Sequence, residues 1–236
     1  MKKVLILGAS SDIGIEILKK FSKERKFKTF AHYSNGSKKF FNFIKNKKNI
    51  SKIKFNFDSE STDLEEFVNQ KVFNDIDIFI NAAANLDDIP YDNFSAEDFK
   101  REMNINLLPG IMFTKKLGNN MFKKKGGSII HLSSIGVKYG GSENSFLYSL
   151  SKSGLEFMPK KVKLWGKNNV FVNTVRVGVT DTKIHKKIKN KNLSQRVKLI
   201  PLKRMAKPSE VANFIFYLAT KNTFITNEVL SIAGGE

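Results

Sequence analysis

Tyr148 and Lys152 stand four positions apart in Tyr148-Ser149-Leu150-Ser151-Lys152. On a helix that spacing puts both side chains on one face with Cβ atoms about 5–6 Å apart. An ammonium at such range favours phenolate, drawing a tyrosine pKa of about 10 toward working pH. The pair becomes a usable proton donor and acceptor. A second candidate is Gly8-Ala9-Ser10-Ser11-Asp12-Ile13-Gly14, between an apolar run and the helix-patterned Ile15, Ile17, Leu18 and Phe21. Small residues in a tight strand-to-helix turn let backbone amides approach a pyrophosphate, and the helix amino terminus adds partial positive charge.

Those residues need a scaffold, and the chain alternates strand-like and helical patterns from end to end. Strands are expected at Val4–Leu7, Lys28–Tyr33, Ile53–Phe57, Ile76–Ile80, Ser128–Leu132, Val170–Val177 and Val229–Ile232. Several are continuously apolar, as strands covered by helices on both faces are, which implies a parallel sheet. Thr62 before Glu65 and Ser95 before Asp98 have capping-box spacing, and Pro208-Ser209-Glu210 opens a stretch with Val211, Phe214, Ile215 and Leu218 on one face. The expected fold is a single α/β domain over residues 1–236, a doubly wound, seven-stranded parallel sheet of Rossmann type. Its ligand belongs at the carboxyl ends of the strands. Pro159 removes the amide that would bond Leu155 and is expected to kink the helix carrying Tyr148.

The 236 residues, 41% apolar and 27% charged, suffice for one substantial core. With no cysteine there is no disulfide, thiolate metal site or cysteine nucleophile, which fits a reducing compartment. His32, His131 and His185 lack ligand spacing, so no metal is expected. The longest nearly apolar run, Val211–Ala219, is far short of the roughly 20 residues of a membrane span. Met1-Lys2-Lys3 before Val4 reads as the approach to a buried strand in a cytoplasmic protein rather than a signal peptide. The net charge of +19 is concentrated. Lys19–Lys54 holds 13 basic residues and one acid, and Lys183–Lys207 holds 10 basic residues and no acid. The clusters are either solvated lysines of a Lys- and Asn-rich composition or a means of attracting anionic ligands.

The glycine turn resembles the Gly-x-x-x-Gly-x-Gly turn of the short-chain dehydrogenase/reductase family, with Gly8 and Gly14 as its first and last glycines and Asp12 in the middle glycine's place. A carboxylate there could cap the helix through nearby amides, and it would also stand near a dianionic pyrophosphate. Asn106, Ser134, Tyr148 and Lys152 resemble the family's catalytic tetrad in order and segment. By that resemblance Tyr148 donates a proton to the carbonyl oxygen as hydride arrives, and Ser134 hydrogen-bonds the same oxygen. Lys152 holds the nicotinamide ribose and perturbs Tyr148, and Asn106 positions a water that reaches Lys152. The Ser134-to-Tyr148 interval is one residue longer than the commonest family spacing, so the loop Ile135–Leu147 is expected to bulge.

The resemblance implies cofactor contacts at Gly8, Ser10, Ser11, Asp12, Ile13 and Gly14; at Asp58 and Ser59 for the adenine; at Asn81, Ala82 and Ala83; and at Tyr148, Lys152, Gly178, Val179 and Thr182. The segment after the second strand, Ser34 to Lys39, carries hydroxyls, an amide and two lysines but no acid. Ser34 and Lys38 suit a 2′-phosphate, so NADP is expected over NAD. The segment 183–207 would cover the substrate. Lys123-Lys124-Lys125 resembles the basic stretch by which 3-oxoacyl reductases of the family dock an acidic carrier protein. The expectation is a carbonyl reductase acting on a small carbonyl or alcohol substrate, anionic or carrier-bound, with a 3-oxoacyl thioester foremost and a nucleotide sugar or small ketone as alternatives. Family members imply a homodimer or homotetramer. The rival is a noncatalytic dinucleotide or nucleic-acid binder on the same fold, whose binding to nucleic acid would weaken steeply with salt.

Overall fold

The computed structural model describes residues 1–58, 61–187 and 192–236. Its strands are β1 (Lys2–Leu7), β2 (Phe27–Tyr33), β3 (Ile50–Lys54), β4 (Ile78–Asn81), β5 (Gly127–Ser134), β6 (Val170–Val177) and β7 (Val229–Ile232). They form one parallel sheet in the order β3-β2-β1-β4-β5-β6-β7. The strand order reverses between β1 and β4, and the crevice at their carboxyl ends is where this architecture receives a ligand.

Alternation along β1 assigns the two faces. Val4 and Ile6 pack with the helices α1 (Asp12–Ser22), α2 (Lys38–Ile44) and α9 (Pro208–Thr220), through Leu18, Phe40 and Ile215. Leu5 and Leu7 face the opposite layer, where α3 (Ser61–Asn69), α5 (Leu108–Lys124) and α7 (Lys160–Trp165) contribute Phe67, Phe113 and Trp165. Phe21 of α1 meets Phe27 and Phe216 edge-on, at 5.0 Å each between ring centres. Burying such a ring stabilises the fold by about 1.5–3 kcal/mol.

Six strands lie within two residues of their expected bounds, the usual uncertainty of element ends. The third does not. β3 pairs with β2 from Thr29 with Ile50 to Tyr33 with Lys54 and then stops. Phe55 and Phe57, expected in the strand, instead pack on Phe67 of α3, Phe55 stacking on it at 4.1 Å. Aromatic residues that read as strand here serve as a plug under a helix.

The caps follow the same pattern of agreement and exception. Ser95 and Asp98 form a reciprocal capping box at the start of α4 (Ala96–Asn106), and Pro208 opens α9. Thr62 is already inside α3, which begins at Ser61. The expected kink at Pro159 is a full break. The helix α6 (Phe146–Gly154) ends with Leu155 and Glu156 N–H groups donating to Lys152 and Ser153 carbonyls at 3.2 and 2.9 Å, and Pro159 in extended conformation starts α7. Proline lacks the amide and also disfavours helical geometry at Met158, so the helix terminates before reaching it. Between β5 and α6 the longer loop is taken up by a 3-10 turn, Ile135–Tyr139, and by two left-handed glycines, Gly140 and Gly141.

Candidate active site

A cavity of about 1610 Å³ opens at the carboxyl ends of the strands. Ser10 to Ile13 form one wall, Gly178 to Thr180 and Thr182 another, and Ser134, Tyr148 and Lys152 its floor. Arg196 and Leu199 of the short helix α8 (Leu193–Leu199), within the 183–207 segment, border it from above. Arg196 is ion-paired with Glu236, which lines the same cavity.

The floor is built by two elements. β5 carries Ser134 to the sheet edge, where its hydroxyl accepts from the Gly136 N–H at 3.1 Å. Tyr148 lies in the first turn of α6, with Lys152 one turn on and its ammonium 5.8 Å from the tyrosine ring centre. Lys152 is only 2% exposed and donates to the Ala83 carbonyl at 2.8 Å. Burial brings its pKa down to about 8, against the upward pull of the Glu102 carboxylate.

The phenol departs from the expectation drawn from its neighbour. Its pKa is pushed up, first by burial and then by the charge on Glu102, with a hydrogen bond to Ser134 pulling the other way. Desolvation of phenolate decides the direction. Tyr148 is thus held protonated, the form a proton donor requires.

Asn106, fully buried at the end of α4, accepts the Asn85 N–H at 2.7 Å through Oδ1. Its Nδ2 is directed to the Asn85 carbonyl at 2.9 Å, the Ser151 hydroxyl at 3.1 Å and the Glu102 carboxylate. Glu102 was not legible as a site residue, although it stands one helical turn before Asn106. It too is 2% exposed, and burial raises its pKa to about 7; the hydrogen bond from the Asp87 N–H opposes that shift, the Asp87 carboxylate adds to it, and Lys152 and Arg101 oppose it.

The dinucleotide end has the geometry of a phosphate cradle. Gly8 has φ +68°, and a Cβ there would come within 2.5 Å of the Ala82 carbonyl oxygen; one on Gly14 would lie 2.2 Å from the Gly8 oxygen. The Ser11 hydroxyl caps α1 by accepting the Gly14 N–H at 3.0 Å. Asp12 and Ile13, whose amides lie in the unpaired first turn of the helix, line the cavity. Asp12 is not the cap that its position suggested: its carboxylate accepts the Lys183 backbone N–H at 2.8 Å, tying the turn to the 183–207 segment. His32 also serves this turn. It accepts the Gly8 N–H through Nδ1 at 3.2 Å, and its Nε2 lies 3.0 Å from the Phe55 carbonyl. The residues present fit a pyrophosphate.

The remaining candidates divide. Asn81 Oδ1 accepts the Ala83 N–H at 3.3 Å, so it shapes the loop that receives Lys152. Gly178 passes so close to the chain beyond β7 that a Cβ would meet Ala233 Cα at 2.6 Å, and the Thr182 hydroxyl donates to the Thr180 carbonyl at 3.2 Å. Ser34 donates to Asn56 at 3.2 Å, and Lys38, exposed, begins α2. Neither lies on the cavity wall. Asp58 is bound to the Arg101 guanidinium at 2.9 Å, which also holds Asp87 at 2.6 Å. Ser59 lies outside the described residues.

A family model described as enoyl-(acyl carrier protein) reductase matches residues 8–236. The chain is a short-chain dehydrogenase/reductase. This reductase is 30% identical over 243 residues to the 3-oxoacyl-[acyl-carrier-protein] reductase FabG of Buchnera aphidicola subsp. Acyrthosiphon pisum, covering 98% of this chain and 95% of that one. It is 31% identical over 163 residues to an acetoacetyl-CoA reductase of an Acinetobacter species, covering 68% and 65% respectively. Among solved structures, ElxO with NADP bound superposes with a TM-score of 0.84 at 26% identity over 99% of this chain and 98% of that one. The reductase is an NAD(P)-dependent oxidoreductase of the carbonyl–alcohol class. No described helix is long and apolar enough to cross a membrane.

Proposed function

We propose that this reductase converts the ketone of a 3-oxoacyl thioester to the secondary alcohol with NADPH. The observation that carries the reading is the convergence of the Ser134 and Tyr148 hydroxyls and the Lys152 ammonium on the floor of one cavity, below a phosphate cradle. The relatives named for 3-oxoacyl-carrier and acetoacetyl-CoA reduction support the substrate class, and the NADP in the ElxO structure supports the cofactor. The absence of an acid from Ser34 to Lys39 agrees with a 2′-phosphate, which would repel one.

In this reading the amides of Ser10 to Ile13 receive the pyrophosphate between Gly8 and Gly14, Ser34 and Lys38 receive the 2′-phosphate, and Asp58 faces the adenine. Gly178, Val179 and Thr182 border the nicotinamide, opposite the loop Asn81–Ala83. Bound NADPH supplies a hydride to the carbonyl carbon. Tyr148 transfers its proton to the carbonyl oxygen, and Ser134 donates a hydrogen bond to that oxygen as negative charge grows on it. Lys152 stabilises the phenolate that remains, and Asn106 orders the interior behind it. The basic stretch Lys123-Lys124-Lys125, at the exposed end of α5, would meet an acidic carrier.

The test is NADPH oxidation against 3-oxoacyl thioesters, nucleotide sugars and small ketones. The highest kcat/KM is expected for 3-oxoacyl thioesters. Turnover confined to another class would overturn the substrate assignment.

A further inference from the structure

Nothing in the proposed chemistry uses Glu102, yet its carboxylate is buried beside the tetrad and accepts three hydrogen bonds. Oε1 accepts from the Asp87 backbone N–H at 3.1 Å and from Asn85 Nδ2 at 3.3 Å, while Oε2 faces Asn106 Nδ2. These contacts fix the Asn106 amide. With Nδ2 drawn toward the carboxylate, Oδ1 is turned to the Asn85 N–H. The loop after β4 is thereby clamped to α4, and the same loop offers the Ala83 carbonyl to Lys152.

The second observation is charge. Lys152 is a cation only 2% exposed, and it donates to a neutral carbonyl, that of Ala83. Burying an uncompensated ammonium favours its neutral form. The charged and titratable groups facing Glu102 are Arg101 from its own helix, Asp87 from the loop after β4, and Lys152 and Tyr148 from α6. Arg101 is already held by Asp58 and Asp87.

We infer that Glu102 is a positioning residue of this reductase: its buried carboxylate holds the Asn106 amide in place and is the counter-charge that keeps Lys152 an ammonium. The inference rests on Tyr148 and Lys152 doing the chemistry proposed above. It deepens that reading by adding a fifth polar member to the site.

Glu102→Gln, the isosteric change, tests it through the pH profile of ketone reduction. Loss of the negative charge lets both Lys152 and Tyr148 give up their protons at lower pH. The alkaline limb of kcat/KM is therefore expected to move toward acid by about half a pH unit or more. A Gln variant that loses rate evenly at all pH values, with the limb in place, would show a merely structural role and overturn the inference. Tyr148→Phe in the same assay separates the two levels: if it retains wild-type turnover the chemistry itself is misassigned, whereas a dead Tyr148→Phe beside an unmoved Glu102→Gln limb removes only Glu102.

Should Glu102→Gln fail to fold, carboxyl-carbon NMR of wild type labelled at glutamate gives an independent answer. A buried carboxyl titrating near about 7 is expected, with a midpoint that rises in Lys152→Met, which lacks the cation. A midpoint unchanged by Lys152→Met would overturn the pairing.

Discussion

Lys152 is anchored to Ala83, whose carbonyl accepts from its ammonium at 2.8 Å across 69 residues of sequence. The cation is thus fixed by the loop after β4 and set beside the Tyr148 ring without being bonded to the phenol. Lys152→Gln removes both the charge and this bond. A hydrogen bond to a charged group is worth about 1.5–3 kcal/mol, so kcat/KM should fall at least about 10- to 100-fold. Steady-state kinetics at fixed pH would check it, and a loss below threefold would contradict the anchoring role.

Ser134→Ala should act on the rate rather than on binding. The hydroxyl hydrogen-bonds Tyr148 and accepts the Gly136 N–H, and among the described residues no hydrogen bond ties it to the cofactor cradle. Removing a donor aimed at a developing oxyanion costs about 10²–10³ in kcat. A variant whose KM rises while kcat holds would place Ser134 in substrate binding instead.

Asp12 puts a carboxylate in the wall where the pyrophosphate is expected, while bonding to the Lys183 amide. Asp12→Asn keeps an acceptor for that amide and removes the charge. Like charges about 4 Å apart in water repel by about 1 kcal/mol, so NADPH should bind about fivefold more tightly. Fluorescence titration would read this, and weaker binding would mean that the Lys183 tie outweighs the repulsion.

Acid should destabilise the fold through its buried imidazoles. Burial lowers the pKa of His32 to about 4 and that of His131 to about 3. Below the unfolded value of about 6.5 the unfolded chain binds protons that the native state refuses, so stability is lost as pH falls from there through the folded values. Glu102 runs the opposite way: with a folded pKa near about 7, it contributes stability that is complete below the ordinary carboxylate range and lost as pH rises through 7. His32→Gln keeps an acceptor for the Gly8 N–H and cannot be protonated. Its melting temperature should fall less than that of wild type between pH 7 and 4. Parallel curves would contradict the assignment to His32.

Much of this was legible because it is local. The four-residue Tyr148–Lys152 interval fixes a shared helix face, and Gly8 and Gly14 occur where only a missing Cβ allows the chain to close. The continuously apolar strands announced a sheet covered on both sides. What stayed hidden depends on contacts distant in sequence. Nothing near Asp58 points to Arg101, 43 residues away, and nothing near Asp12 points to Lys183, 171 residues away. Glu102 reads as an ordinary polar helix residue beside Arg101 until α6 is packed over it. The direction of the Tyr148 shift was misjudged for the same reason, since a cation four residues away is visible in the sequence and the burial that decides the direction is not.

The most direct measurement is NADPH binding and turnover of the best ketone substrate in Tyr148→Phe. The account predicts NADPH affinity within about twofold of wild type and kcat lower by about 10²–10⁴, the usual worth of a positioned proton donor. Turnover equal to wild type in that variant would contradict it, because the proton would then come from another group.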